Sequence, residues 1–426
     1  MQKKIIGGIV PLMLIGLFIG NWVYGAMLSK KIETQLIKRL ELVNDRVEVR
    51  YGNIGVNPLF SKIKVDGFVI TSKTESQIIK GKHLELNMSY SEALGLITSK
   101  TLEEVKSFRV NLRELEVYAE ETNDKLMVNE IMLDFDGYLT KLDLSNIHNA
   151  FPVKKQVVRL VAADISLAQS PWAKTLGLTD QQVTDFNKID KVTVDVLFNP
   201  NKKVLDVRNF SFLSPIVTLQ SKASLSYTGD GVKGMRPKQT LSEIDLKLNK
   251  NGAEWGDAES TGRFSLQNLL VQLEAIVKYE EGVPHLSAQK SSVLLEDFKV
   301  IYAGQKKAQL EARTALIGLK MDEIDIKRFA LESALEDDNL VVKNAQLRSS
   351  LVNADLDAII KLDVADYKAS EIVKGKLVIS QLLENLKNGL VTFEMMTGQT
   401  IPRDGDDIIL EMSGRVGRPT IKGLKY

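Results

Sequence analysis

Apolar and polar residues alternate along most of this chain with a period of two. Val47, Val49 and Tyr51 are interleaved with Glu48 and Arg50, and Phe108, Val110 and Leu112 with Arg109 and Asn111. Ile131, Leu133 and Phe135 flank Met132 and Asp134, and Val192, Val194 and Val196 flank Thr193 and Asp195. The longest run is Leu269, Val271, Leu273, Ala275, Val277 and Tyr279, set against Leu270, Gln272, Glu274, Ile276 and Lys278. Ala308, Leu310, Ala312, Thr314 and Leu316 alternate with Gln309, Glu311 and Arg313, and the pattern returns at Ile324 and Ile326 and at Ile408, Leu410 and Met412. Successive side chains of a strand point to opposite faces, so each run predicts a strand with one apolar and one wet side. A parallel α/β sheet would need near-continuous apolar strands with a crossover helix between each pair, and those helices are missing. Turn formers separate the runs at Asn199-Pro200-Asn201, Gly229-Asp230-Gly231, Glu281-Gly282 and Asp337-Asp338-Asn339. The expectation is a mainly β, mostly antiparallel chain of about 15–20 strands with a few short helices.

Other periods mark the exceptions. No charge occurs from Ile5 to Ser29, and the apolar heart of that stretch, Ile5 to Gly25 with Leu12 and Leu17, is long enough as a helix to cross ~30 Å of hydrocarbon. Trp22 and Tyr24 sit where amphipathic rings favour the headgroup layer, and Lys3 and Lys4 favour a cytoplasmic N-terminus, an asymmetry that Lys30 and Lys31 reduce. Residues 1–27 therefore read as a cytoplasmic tip and transmembrane anchor. A cleaved secretory signal is the competing reading, since Val23 and Gly25 are small; the apolar stretch exceeds the usual h-region of about 7–15 residues. On either reading the rest of the chain leaves the cytoplasm.

Over residues 28–45, Leu28, Ile32, Leu36, Leu40 and Val43 recur at helical spacing, which predicts an amphipathic helix that lies on a bilayer or caps the following sheet. Shorter helices are expected over Ser89 to Thr98, Asp180 to Lys188 and Ser380 to Thr397, the last closed by Gly398. Gly229, Gly231, Gly234 and Pro237 suggest a linker or long turn over 229–240, between β-rich regions at 46–228 and 241–426.

Composition narrows the chemistry. The 426 residues are 44% hydrophobic, too apolar for a disordered chain, and contain no cysteine, which removes disulfides, thiolate metal sites and thiol nucleophiles. That absence suits an oxidising compartment. The formal net charge of +1 argues for no nucleic-acid partner. His83, His148 and His285 lie far apart, with no HExxH, nucleophile elbow, P-loop or GxGxxG motif in the chain. Glu336-Asp337-Asp338 and Asp404-Gly405-Asp406-Asp407 lack the alternating ligands of an EF-hand loop and read as solvated turns. No catalytic, cofactor or metal residue is assigned, and the protein is expected not to be an enzyme.

Both ends of the chain carry resemblances. Trp22-Val23-Tyr24-Gly25, the segment Lys31 to Leu36 and Val47-Glu48-Val49-Arg50-Tyr51-Gly52-Asn53 resemble YdgA-like envelope proteins. Asn57 to Phe68, and Leu84 to Tyr90 leading into Ala93 to Ile97, look like the opening strand pair of AsmA-like proteins. The segment Ile408 to Lys422, with Gly414, Gly417 and Pro419-Thr420-Ile421, is similar to the closing strand of AsmA-like and type II secretion N proteins. These short motifs cover roughly a third of the chain, and none is catalytic. What the resemblance implies is an elongated, curved antiparallel sheet anchored in the bacterial inner membrane, single-pass, with its bulk in the periplasm. Its groove would hold phospholipid acyl chains; in the secretion branch the protein would instead serve as an accessory of export, with other envelope or secretion proteins as partners. An apolar strand face must be covered, either by a second sheet or by acyl chains. The groove residues expected from the alternation are Leu269, Val271, Leu273, Ala275, Val277, Tyr279, Leu310 and Ala312.

Overall fold

The backbone N–H and C=O groups of an alternating run lie in the plane of the strand, where only a neighbouring strand can satisfy them. The chain meets this demand between neighbours in sequence. The computed structural model describes residues 21, 24–34, 37, 47–72, 77–89, 92, 101–119, 124–137, 139–143, 154–168, 187–229, 235–249, 253–257, 262–304, 307–309, 323–336, 339–363 and 366–424. Among them it is mainly β, with 23 strands. The chain divides into two units, one holding the strands up to Asn199 and the other the described residues from Asp206 onward.

In the first unit the strands are β1 (Val47–Asn57), β2 (Lys62–Ser72), β3 (Gln77–Asn87), β4 (Thr101–Val105), β5 (Phe108–Ala119), β6 (Asp124–Asp136), β7 (Leu139–Asp143), β8 (Gln156–Ala168) and β9 (Lys188–Asn199). They pair antiparallel in the order β1-β2-β3-β5-β6-β8-β9, while β4 and β7 form a separate two-stranded ladder. Residues 24–34 form a helix, α1, whose Leu28 and Ile32 are buried at 6% and 2% exposure. Ser29 Oγ accepts the Val56 N–H at 2.9 Å, so the helix caps the end of β1. Glycine is required at position 25, because a Cβ there would sit 2.4 Å from the Val56 carbonyl oxygen. The amphipathic helix thus caps the sheet and starts earlier than residue 28; Leu36, Leu40 and Val43 lie outside the described residues.

The second unit contains β10 (Val204–Leu213, which begins just ahead of it), β11 (Val217–Thr228), β12 (Arg236–Leu248), β13 (Ala253–Asp257), β14 (Gly262–Leu266), β15 (Asn268–Glu280), β16 (Val283–Ile301), β17 (Glu323–Glu336), β18 (Asn339–Ser349), β19 (Val352–Lys361), β20 (Glu371–Leu382), β21 (Arg403–Asp404), β22 (Asp407–Arg415) and β23 (Arg418–Ile421). Antiparallel pairing runs β11-β12-β15-β16-β17-β18-β19-β20-β22-β23. The β13–β14 hairpin pairs onto the end of β16, and β21 onto β22. Glu281 and Gly282 both take positive φ, 52° and 85°, as a tight hairpin turn between β15 and β16 requires. One helix, α2 (Glu384–Thr397), follows β20, and Gly398 closes it at φ 65° by donating its N–H to the Glu394 carbonyl.

Several expected boundaries move. Arg236, Pro237, Gln239 and Thr240 already pair with β11 as the opening of β12, so the last five residues of the 229–240 stretch are strand, residues 230–234 lie outside the described residues, and the units part near residue 205. Lys307 to Gln309 are helical rather than extended. Ala, Gln, Leu, Glu and Arg are all good helix formers, so that alternation was a poor strand signal. Ser380 to Leu382 belong to β20, and Lys188 opens β9. Asp180 to Phe186, Leu310 to Leu316 and nearly all of Ser89 to Thr98 lie outside the described residues. So do Ile5, Leu12, Leu17 and Trp22; among the described residues no helix is long and apolar enough to cross a membrane.

The strands carry a regular interruption. Two consecutive residues are off the apolar rows in Val65-Asp66-Gly67-Phe68, Leu112-Arg113-Glu114-Leu115 and Leu295-Glu296-Asp297-Phe298. In each the second residue is left-handed, with φ 62°, 51° and 47°, and Asp164 (50°) and Asn344 (54°) repeat the device. A left-handed residue in a strand acts like a bulge, turning the chain so that the next apolar side chain returns to the face of the previous ones. Asp and Asn tolerate this conformation; for Glu114 it carries the full Cβ–carbonyl crowding of about 1–2 kcal/mol. The Lys82–Glu114 ion pair at 2.8 Å is more than half exposed at both ends and offsets little of that. Glu114→Gly is therefore expected to raise the first unit's stability by about 0.5–1 kcal/mol and Glu114→Val to lower it by at least about 1 kcal/mol. Urea midpoints for the three proteins in the order Gly, Glu, Val test this; indistinguishable midpoints would refute the assigned backbone.

Candidate functional site

Directly opposed residues of an antiparallel pair share a face, so the register shows which side chains gather where. In the first unit one row runs Val56, Ile63, Leu86, Val110, Leu133, Leu160 and Val194 across seven strands. Beside it run Ile54, Val65, Leu84, Leu112, Ile131, Ala162 and Val192. Beyond the left-handed step lie Tyr51, Phe68, Gly81, Leu115, Val128, Ile165 and Ile189. The Phe68 ring occupies the space a Cβ on Gly81 would need, with ring carbons within 2.3 Å of that position.

The second unit repeats the arrangement on a longer scale. Leu219, Leu246, Val271, Val293 and Leu331 oppose one another in turn, Leu331 packs against the cluster of Val342, Ala345 and Ala358, and Leu356, which opposes Ala345, continues the row to Leu377 and Leu410. A flanking row reads Leu269, Leu295, Phe329, Leu347, Ala354, Ile379 and Ile408. The other flank is Ser221, Ile244, Leu273, Ser291, Ser333, Val342, Ala358, Gly375, Met412 and Ile421. Here the aliphatic surface holds a small polar island. Ser291 and Ser333 hydroxyls meet at 2.7 Å, and the Gln289 amide donates to Ser333 Oγ at 3.1 Å.

This face is not an ordinary core. Most of its described side chains are half-buried, and the buried ones form small clusters such as Ile216, Leu248 and Leu266 or Val342, Ala345 and Ala358. A second sheet packed about 10 Å away would have enclosed the whole face. The opposite side is charged and wet. Lys62 and Lys64 flank Glu85 at 2.6 and 3.7 Å, and the Lys62 hydrogen bond holds its carboxyl below the usual carboxylate range. Arg109 grips Asp134, Tyr118 lies between the ammonium groups of Lys80 and Lys125, and Lys422 lowers the Glu411 pKa through a 2.7 Å hydrogen bond.

Of the expected groove residues, Leu269, Val271, Leu273, Ala275, Val277 and Tyr279 all occupy the apolar side of β15 and are half-buried. Leu310 and Ala312 lie outside the described residues. Most of the face was not singled out from sequence: β11, β12, β16 and β18 to β20 supply much of it, and the signal that could have found them is the paired polar step that re-phases the alternation. His83 Nδ1 is 2.9 Å from Asp66 on the wet side, His285 is exposed near the β15–β16 turn, and His148 lies outside the described residues. Among the described residues no three His, Asp or Glu side chains are placed to hold a metal ion. Asp404 and Asp407 pair across the β21–β22 turn around Gly405, and Glu336 is engaged by Lys343 at 2.5 Å. What the arrangement can do is adsorb apolar matter along one side of a sheet whose other side stays hydrated.

Comparison with known proteins gave no matching family model, curated protein or solved structure.

Proposed function

We propose that this chain is a membrane-anchored, non-enzymatic protein of the bacterial cell envelope whose strands hold phospholipid acyl chains on their apolar side, with the bulk of the chain in the periplasm. The observation that carries the reading is the row from Leu219 to Leu410. It is apolar at every one of nine strands, yet only Ala345 within it is buried and the other eight residues are half-buried. At ~4.8 Å per strand the row measures about 38 Å along the sheet, longer than one leaflet of a ~30 Å hydrocarbon layer, so a whole acyl chain fits against it. Covering such a surface is favourable by roughly 25 cal/mol for each Å² removed from water. The uncharged stretch Ile5 to Gly20 and the AsmA-like character of both chain ends support placement at a membrane.

The test uses alternation itself as the control. A photo-crosslinking amino acid at Val271 of the full chain in cells is expected to yield phospholipid adducts by mass spectrometry, while one at Gln272, on the wet side, yields none. Equal labelling from both positions, or none from either, refutes the proposal.

A further inference from the structure

The β1–β2 hairpin ends in one 3-10 turn, Pro58–Phe60, closed by Ser61 at φ 50°. Its two apolar side chains are uncovered, Leu59 at 54% and Phe60 at 60% exposure. The turn is tied to the N-terminal segment. Asn21 Oδ1 accepts the Leu59 N–H at 2.8 Å, and Asn21 Nδ2 donates to Asn57 Oδ1 at 3.0 Å. In the helix that follows Asn21, Leu28 and Ile32 are buried while Tyr24 and Met27 are 51% and 66% exposed. Exposed Lys30 and Lys31 follow them. Leu59 and Phe60 thus stand uncovered at the turn that Asn21, the residue following the uncharged stretch Ile5 to Gly20, holds by two hydrogen bonds.

This placement changes the length arithmetic of the anchor. Asn21, Gly25 and Ser29 face the sheet, so they are committed to the folded unit. What remains for the bilayer, Ile5 to Gly20, is about 16 residues, or roughly 24 Å as a helix, against ~30 Å of hydrocarbon. No spacer separates that stretch from the hairpin tip. We propose that Leu59 and Phe60 insert into the interfacial layer of the bilayer and complete the short anchor, so that β1 and β2 rise directly from the membrane surface. Aromatic and aliphatic side chains are at home at that depth, and Lys30 and Lys31 can reach lipid phosphates from it. The inference rests on the anchor in the proposed function but not on acyl-chain binding by the sheet.

The absence of cysteine makes the test clean. Full-length Phe60→Cys carries a bimane label and is reconstituted into phosphatidylcholine/phosphatidylglycerol vesicles containing lipid with a doxyl group near the headgroup. Gln77→Cys, at the far end of β3 and about 33 Å away along the strand, is the control. The expected result is a several-fold quenching at position 60 and none at 77. Protein that floats with the vesicles while its Phe60 label stays bright overturns the tip insertion alone. A label that shifts to the blue without doxyl quenching reports a second copy of the chain in that place and also overturns it. Protein that fails to float overturns the anchor, and the tip insertion with it.

Discussion

Leu273→Glu is expected to strip bound phospholipid from the chain while leaving it folded. Leu273 stands on the apolar row between Ile244 and Ser291 and is half-buried, so without lipid a carboxylate there keeps much of its hydration. The cost to stability should be about 1 kcal/mol, in the range of ordinary partly exposed substitutions. With an acyl chain over it, the same carboxylate loses water and the lipid loses a leucine contact. The two penalties together reach about 3 kcal/mol, on the order of a 100-fold loss of affinity. Lipid adducts from a crosslinker at Val271, compared with and without the substitution, read the loss; the thermal midpoint reads the fold. Undiminished adducts would mean that the bound lipid does not lie over Leu273, and a chain that unfolds outright would mean that the face is covered by protein rather than by lipid.

The second large effect is expected at the other end of the chain. Gly25→Leu puts a Cβ 2.4 Å from the Val56 carbonyl oxygen, and that backbone belongs to a paired strand that cannot yield. The helix must lift away. It then exposes Leu28 and Ile32 and breaks the Ser29–Val56 hydrogen bond, a combined loss of about 3 kcal/mol or more. Hydrogen exchange should show residues 24–34 losing protection while the second unit's strands keep theirs. Unchanged protection over α1 would disprove its docking on β1.

Alternation by itself determined that this is an antiparallel, mainly β chain, and it did so because strand geometry converts a period of two directly into two faces. That Leu269, Val271, Leu273, Ala275, Val277 and Tyr279 share one side of a single strand was legible for the same reason. Of the Ala308 to Leu316 run only Ala308 and Gln309 are described, and they are helical, as residue types that favour helices at least as much as strands allow; the 229–240 stretch, expected as a linker or long turn, gives residues 236–240 to β12. The left-handed steps at Gly67, Glu114, Asp164, Asp297 and Asn344 are written in the sequence only as doublets of residues off the apolar rows. Whether such a doublet ends a strand or re-phases it depends on what the neighbouring strand does at the same level, and that is settled by register. Tertiary structure alone decided that apolar residues some 190 positions apart, Leu219 and Leu410, belong to one row, and that Asn21 and Gly25 face a sheet instead of lipid. Pairing and packing are relations between distant residues, and a single chain's local pattern carries no record of which partner each face will meet.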